Sequence, residues 1–211
     1  MTAVLLVGAS GLAREVIPVL REAGREIRGV LDDRHAELPR TVGGVPVLGG
    51  IDDAGRHPDA DLLVCIGPGR GRTKIVERMA GLGVDASRYT TAVDRSVRNP
   101  AACPVGAGSI LLAGVTITAD AIVGAHVVAM PNVVITHDCR VDDFATFAAG
   151  VALGGGVRVG RAAYLGMNSS VLPGRSIGAG ATVGMGAVVL HDVPDHETWA
   201  GVPAHRLGET A

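Results

Sequence analysis

Hydrophobic residues return at every sixth position along nearly half of this chain. From Val105 to Pro194 the sequence divides into fifteen six-residue units without insertion or deletion, and fourteen of them open with Val, Leu, Ile or Phe. Ala129 is the one weak opener. The second position is often Gly, and the fifth is small or apolar, as at Ser109, Val115, Ala121, Val127, Val133 and Cys139. A period of six fits neither a helix nor a two-faced strand; it fits short strands joined by tight corners. Two side chains per unit then enter a narrow core, and three units close one triangular coil of eighteen residues. The pattern predicts an all-β parallel β-helix.

The first hundred residues follow other periods. Ala3 to Val7 reads as a buried strand, GASGLA as a turn, and REVIPVLREAG as an amphipathic helix ending at Gly24. A second strand, Ile27 to Leu31, ends in Asp32 and Asp33; a third, Leu62 to Ile66, runs into GPGRGRTK and a helix through Met79. Strand, glycine turn, helix is the opening of a Rossmann-like α/β unit, whose ligands sit at the carboxyl ends of parallel strands. Gly8, Ser10 and Gly11 are therefore candidates to cradle a phosphate-bearing small molecule. Asp32 and Asp33, about 20 residues beyond the glycines, stand where a carboxylate meets a ribose hydroxyl. The glycine run lacks the full G-x-G-x-x-G, so tight turns and a solvated acidic loop stay open as alternatives. The abrupt onset of the hexads places a boundary near residues 95 to 104, giving an α/β domain over 1–98 and a β-helix with its cap over 99–211.

Composition removes several functions. A net charge of -2 and 2% aromatic residues supply neither a basic field nor stacking platforms for nucleic acid. No apolar run reaches the roughly 18 residues a membrane helix needs. The first residues already read as a strand and not a signal peptide, so a cytoplasmic protein is expected. Cys103 and Cys139 lie 36 residues apart on inward positions, which is two coils or roughly 9–10 Å by strand stacking. That is beyond disulfide reach.

Residues eighteen apart stack in columns. Ala119, His137, Gly155, Pro173 and His191 form one such column at the outward third position, so His137 faces solvent or a neighbouring subunit with a bare glycine one coil away. A histidine beside a glycine N–H is the minimum for acyl transfer: a base for the nucleophile and a donor for the oxyanion. An ordinary surface histidine is the alternative.

The segment Val134-Ile135-Thr136-His137-Asp138-Cys139, the trailing LGGGVRVGRAAYLGMNSSVLPGRSIGAGATVGMGAVVLHDVP and the closing AGVPAHR resemble the sugar acyltransferases of the left-handed β-helix superfamily. The likeness points to two-domain enzymes that N-acetylate UDP-linked 4-amino sugars and to the related sialic acid O-acetyltransferases, and it spans essentially the whole chain. It implies a homotrimer, acetyl-CoA held between adjacent β-helices, the nucleotide sugar on the N-terminal domain, and left-handed crossovers against the usual right-handed rule. It makes His137 the general base and Asp138 its orienting carboxylate. Adjacent strand residues point to opposite faces, so that contact requires a corner. The resemblance places the Gly155 N–H against the thioester carbonyl, Gly166, Met167 and Met185 along the pantetheine arm, and Ala200 to Arg206 at the adenine end of CoA. Thr146 departs from the pattern, because several relatives carry a second histidine nine residues after the base.

The expected activity is acetyl-CoA-dependent N-acetylation of an amine on a nucleotide-linked sugar, without a metal. O-acetylation of a sugar hydroxyl or a non-sugar acceptor would use the same base. A zinc hydrolyase on the same fold would need His126, His137 and His191 to converge, yet His191 stands three coils from His137, roughly 14 Å away. A non-catalytic trimeric binding module would need only the hexads. An NAD-dependent oxidoreductase lacks the full glycine fingerprint.

Overall fold

The computed structural model describes residues 2–208. Its first unit is a five-stranded sheet of β1 (Val4–Val7), β2 (Ile27–Leu31), β3 (Thr41–Val42), β4 (Val45–Gly49) and β5 (Asp61–Val64), in the order β3-β4-β2-β1-β5. All neighbours are parallel except the β3–β4 hairpin. The central β1 is fully buried, as an apolar run covered on both faces must be. Helix α1 (Gly11–Glu22) starts at Ser10, whose Oγ accepts the Leu12 N–H at 3.1 Å, and buries Leu12, Val16, Ile17 and Leu20. Helix α2 (Gly69–Gly81) follows β5.

The second unit is a left-handed β-helix. Val134 pairs with Ala152, Arg140 with Arg158 and Thr146 with Tyr164, each across eighteen residues. Two-residue strands lie on three faces. The first carries Ile110–Leu111, Val128–Ala129, Thr146–Phe147, Tyr164–Leu165 and Thr182–Val183; the second runs from Thr116–Ile117 to Val188–Val189; the third runs from Ile122–Val123 to Ser176–Ile177. Hexad positions one and five form the core, where Leu111, Val115, Ile135, Cys139, Phe147 and Val151 are fully buried. Ala129 pairs directly with Phe147, so the small opener lies one coil from the largest core side chain of the helix. In a close-packed interior that alternation conserves volume. The cysteines are free and buried.

The corners share one backbone device. Every hexad's fourth residue from Gly108 to Gly186 has positive φ, and half of these are not glycine: Asp120, His126, Asn132, Asp138, Phe144, Ala162 and Asn168. The left-handed residue turns the chain through the corner and sets the third residue outward.

The eighteen-residue register extends back to Ala92–Val93, which pairs with Ile110–Leu111, and forward to Val189. After Val189 the register shortens: Ile177 meets Val193 and Thr182 meets Thr198, each sixteen residues on. The last hexad thus differs from its sequence pattern by two residues. Thr198–Ala200 and the antiparallel His205–Arg206 close the end, with Ala204 in the core.

The α/β unit covers the first face, where Ile110, Leu112 and Val128 share a core with Val4, Leu6 and Val16. At the corner between the third and first faces, His126 stacks on Phe144 with ring centroids 4.9 Å apart and meets the Tyr89 ring edge-on at 4.6 Å. Burial, reinforced by the nearby Arg72 charge, pushes the His126 imidazole down to about 4, so it is neutral at neutral pH. Among the described residues no helix is long and apolar enough to cross a membrane.

Between pH 6.5 and about 4 the unfolded chain binds a proton at His126 that the folded chain excludes, so stability falls as pH falls through this window. At 1.36 kcal/mol per pH unit the loss is on the order of 3 kcal/mol. Asn occupies the same left-handed position in other coils, as at Asn132. Denaturant titrations from pH 7 to 4 should therefore show His126→Asn losing most of the slope, whatever its stability at pH 7. An unaltered slope would place the acid sensitivity in other groups.

Candidate active site

His137 and Asp138 occupy the corner between the second and third faces. Asp138 is the left-handed residue, with φ of 61°, and the turn brings together side chains that a straight strand would separate. His137 Nδ1 and Asp138 Oδ2 are 2.7 Å apart. With Nδ1–H donating to the carboxylate, Nε2 is left as the acceptor. Both side chains are open to solvent, at 64% and 63% exposure.

The ring lies over Gly155, and a Cβ there would overlap the imidazole carbon and nitrogen atoms. The neighbouring backbone is engaged: Gly156 N–H donates to His137 O at 2.8 Å, and Gly155 O accepts from Gly174 N–H at 2.8 Å. Gly155 N–H itself has no acceptor among the described residues. An imidazole, a carboxylate hydrogen-bonded to it and a free N–H thus share one corner. Of the other histidines considered for a metal, His126 is buried at a different corner, and among the described residues no three metal-binding side chains converge.

Gly166, Met167 and Met185 lie at the corner between the first and second faces. Gly166 N–H is taken by Val183 O at 2.8 Å, and a Cβ on Gly166 would overlap the Met185 backbone, so this glycine serves the stacking of the coil. Met167 and Met185 stand outward with 48% and 72% exposure, and their N–H groups have no acceptor among the described residues.

The acceptor candidates of the α/β unit turn mostly inward. Gly8 has φ of 104° and lies against Cys65 O, leaving no room for a Cβ. Ser10 Oγ donates to Cys65 O at 2.6 Å, and Gly11 opens α1. Asp32 Oδ2 accepts the Ala9 N–H at 2.8 Å, holding the first glycine turn from the second strand. Asp33 pairs with Arg78 at 2.7 Å, and that hydrogen bond lowers its pKa from the usual carboxylate range.

Ser10 and Gly11 nevertheless edge a cleft of about 510 Å³ between the two units. Its other walls are Gly67 and Pro68 of the second glycine turn and Val128, Met130, Thr146, Tyr164 and Met167 of the β-helix. The cleft joins the candidate acceptor turn to the methionine corner. It does not include His137, which lies across the second face on the opposite corner.

From Thr116 to Leu190 that second face is uncharged, and the exposed Arg98, bridged to Thr116, puts a charge at its first edge. Its outward residues are Thr116, Thr118, Val134, Thr136, Ala152, Gly154, Ser170, Leu172, Val188 and Leu190, whereas the third face presents Arg140, Asp142 and Arg158.

One residue of the site had no signature in the sequence reading. Arg72 is fully buried at the start of α2. Its guanidinium donates to Ile66 O (2.9 Å) and Gly67 O in the turn, and to His126 O (2.9 Å), Phe144 O (2.8 Å) and Ala145 O (3.0 Å) in the coil. It also donates to Thr146 Oγ1 at 3.0 Å, and Thr146 in turn donates to Gly67 O at 3.1 Å. Burial pushes Arg72 down to about 10, which leaves it charged at neutral pH. The Thr146 hydroxyl thus belongs to a clamp on the cleft wall.

Residues 3–79 match the family model described as the PglD N-terminal domain. No curated protein gives a significant sequence match. Among solved structures the chain is similar to a histidine mutant of perosamine N-acetyltransferase from Caulobacter crescentus, in complex with CoA and GDP-perosamine. The identity is 33%, 99% of this chain and 98% of that chain are covered, and the TM-score is 0.90. It is similar to the acetyltransferase domain of PglB from Neisseria gonorrhoeae FA1090, in complex with acetyl coenzyme A, at 28% identity, 98% and 99% coverage and a TM-score of 0.90. WeeI from Acinetobacter baumannii AYE is 26% identical over 98% of this chain and 100% of that chain, with a TM-score of 0.84.

Gly155→Ala should push the His137 ring off its seat and break the 2.7 Å contact with Asp138, because the added methyl group claims the space of the imidazole. A crystal structure of the variant would read this directly. An unmoved ring would refute the packing argument.

Proposed function

The chain belongs to the hexapeptide-repeat sugar acetyltransferases, and on that footing we propose that it transfers acetyl from acetyl-CoA to the amine of a nucleotide-linked amino sugar, with His137 as general base. The observation that carries the proposal is the His137–Asp138 contact at 2.7 Å over the bare backbone of Gly155. The relative that is 33% identical was solved with both CoA and GDP-perosamine, which supports the same pair of ligand classes here.

In this mechanism the amine nitrogen attacks the thioester carbonyl carbon and forms the new C–N bond. His137 Nε2 takes a proton from that nitrogen, and the carbonyl electron pair moves onto oxygen, where the Gly155 N–H binds it. Collapse of the tetrahedral intermediate breaks the C–S bond and releases CoA as thiolate. Asp138 fixes the tautomer and stabilises the imidazolium. The pantetheine arm follows the exposed Met167–Met185 column, and the nucleotide sugar enters from the α/β unit.

One copy does not bring His137 to the cleft. We assign the assembly as a homotrimer around the second face, uncharged from Thr116 to Leu190, which sets the His137 corner of one copy beside the Met167 corner of the next. The lack of charge from Thr116 to Leu190 on that face, beside a third face that carries Arg140, Asp142 and Arg158, supports this arrangement.

His137→Ala should lower turnover by about 10²- to 10⁴-fold, the usual worth of a general base, with an unchanged melting temperature because the side chain is exposed. Near-normal turnover would remove His137 from the mechanism. UDP-, dTDP- and GDP-linked 4-amino sugars mixed with acetyl-CoA should include one that releases free thiol. Thiol release only with a free sugar or a non-sugar amine would overturn the acceptor assignment.

A further inference from the structure

In the cleft between the glycine turns and the first face, two of the three side-chain hydroxyls have no hydrogen left for a ligand, and the third, on Tyr164, forms no hydrogen bond among the described residues. The cleft lining includes the apolar Leu12, Val128, Met130, Ala148 and Met167 and no cationic side chain. The polar side chains are Ser10, Glu15, Thr146 and Tyr164. Two of their hydroxyls have a committed hydrogen: Ser10 Oγ donates to Cys65 O, and Thr146 Oγ1 donates to Gly67 O.

A hydroxyl carries one hydrogen and two lone pairs. At Thr146 one lone pair receives the Arg72 N–H, and at Ser10 one receives the Leu12 N–H. The guanidinium has no acceptor capacity, so the Thr146 hydrogen cannot swing toward it. Each hydroxyl is left with a single lone pair, and toward a ligand it can only accept. Glu15, on the second turn of α1, adds a carboxylate that forms no ion pair among the described residues.

We propose that Glu15, Thr146 and Ser10 form the part of the acceptor site that recognises the amine, and that they select an amino sugar over its hydroxyl counterpart. The inference rests on the nucleotide-sugar reading above and adds the residues that choose the functional group. An ammonium has three donors, no lone pair and a positive charge, and it satisfies accept-only oxygens and a carboxylate together. A hydroxyl in its place has one hydrogen to share, and its own lone pairs then oppose those of the wall. The amine that remains after deprotonation keeps donors for the same oxygens. Arg72 is a positioning residue, acting through Thr146.

Calorimetry with a nucleotide-linked 4-amino sugar and its 4-hydroxy counterpart, on the carrier nucleotide that supports thiol release, tests this. The wild-type protein should bind the amine at least about tenfold more tightly, as expected where a site is built to hydrogen-bond a substrate N–H. Glu15→Gln should bring the ratio close to one. Thr146→Val should reduce it, and Thr146→Ser, which keeps the hydroxyl, should restore it. Acetyl-CoA affinity should hold in all three variants, a readout that general loss of structure would not spare. Equal binding of amine and hydroxyl by the wild type, or a preference that Glu15→Gln and Thr146→Val leave intact, would overturn the inference while the acceptor reading stands. Failure of every nucleotide-linked sugar to bind would overturn both.

Discussion

A single buried guanidinium fixes how the two units of this protein meet. Burying a charge is costly unless hydrogen bonds replace its water, and Arg72 meets five backbone carbonyls and a hydroxyl. Those partners come from both sides of the seam, Ile66 and Gly67 in the turn and His126, Phe144 and Ala145 in the coil. The seam is close enough that a Cβ on Gly69 would overlap Phe144 O. Any shift of α2 along the β-helix would strand carbonyls as well as the cation. The cleft wall at Gly67 and Pro68 therefore keeps one position relative to Thr146 and the methionine corner.

The three corners of the coil share a backbone and differ in fate. One stacks His126 on Phe144 and is sealed by the α/β unit. One presents Met167 and Met185 outward. One holds His137 and Asp138 in the open. The left-handed fourth residue is what makes the last possible, since it joins two adjacent side chains into one acid–base pair.

Much of this was legible in the hexads, because a period of six leaves only one way to fold: openers and fifth residues go inward, third residues outward. The columns placed Gly155 one coil from His137, and the packing of the ring on that glycine agrees. Strand alternation alone would separate His137 from Asp138, and the positive φ at Asp138 brings them together. Other features had no sequence signal. Arg72 bonds to main-chain carbonyls up to 73 residues away, and such acceptors carry no side-chain identity for a motif to register. Ser10 and Asp32 were read for their placement beyond parallel strands, and both spend hydrogen bonds on holding the glycine turn. The weak opener Ala129 became intelligible only beside Phe147.

The shortened register after Val189 bears on how such a chain can change over time. Inside the coil, one added or lost residue would turn every later side chain to the wrong face, as a slipped strand does. Length variation is thus confined to whole coils, or to places with no coil beyond them. The two-residue contraction falls at the final corner, where only the cap follows. The His137 corner must evolve by substitution alone, while the loops of the α/β unit remain free to lengthen. One half of the molecule can then change its length without disturbing the corner geometry of the other.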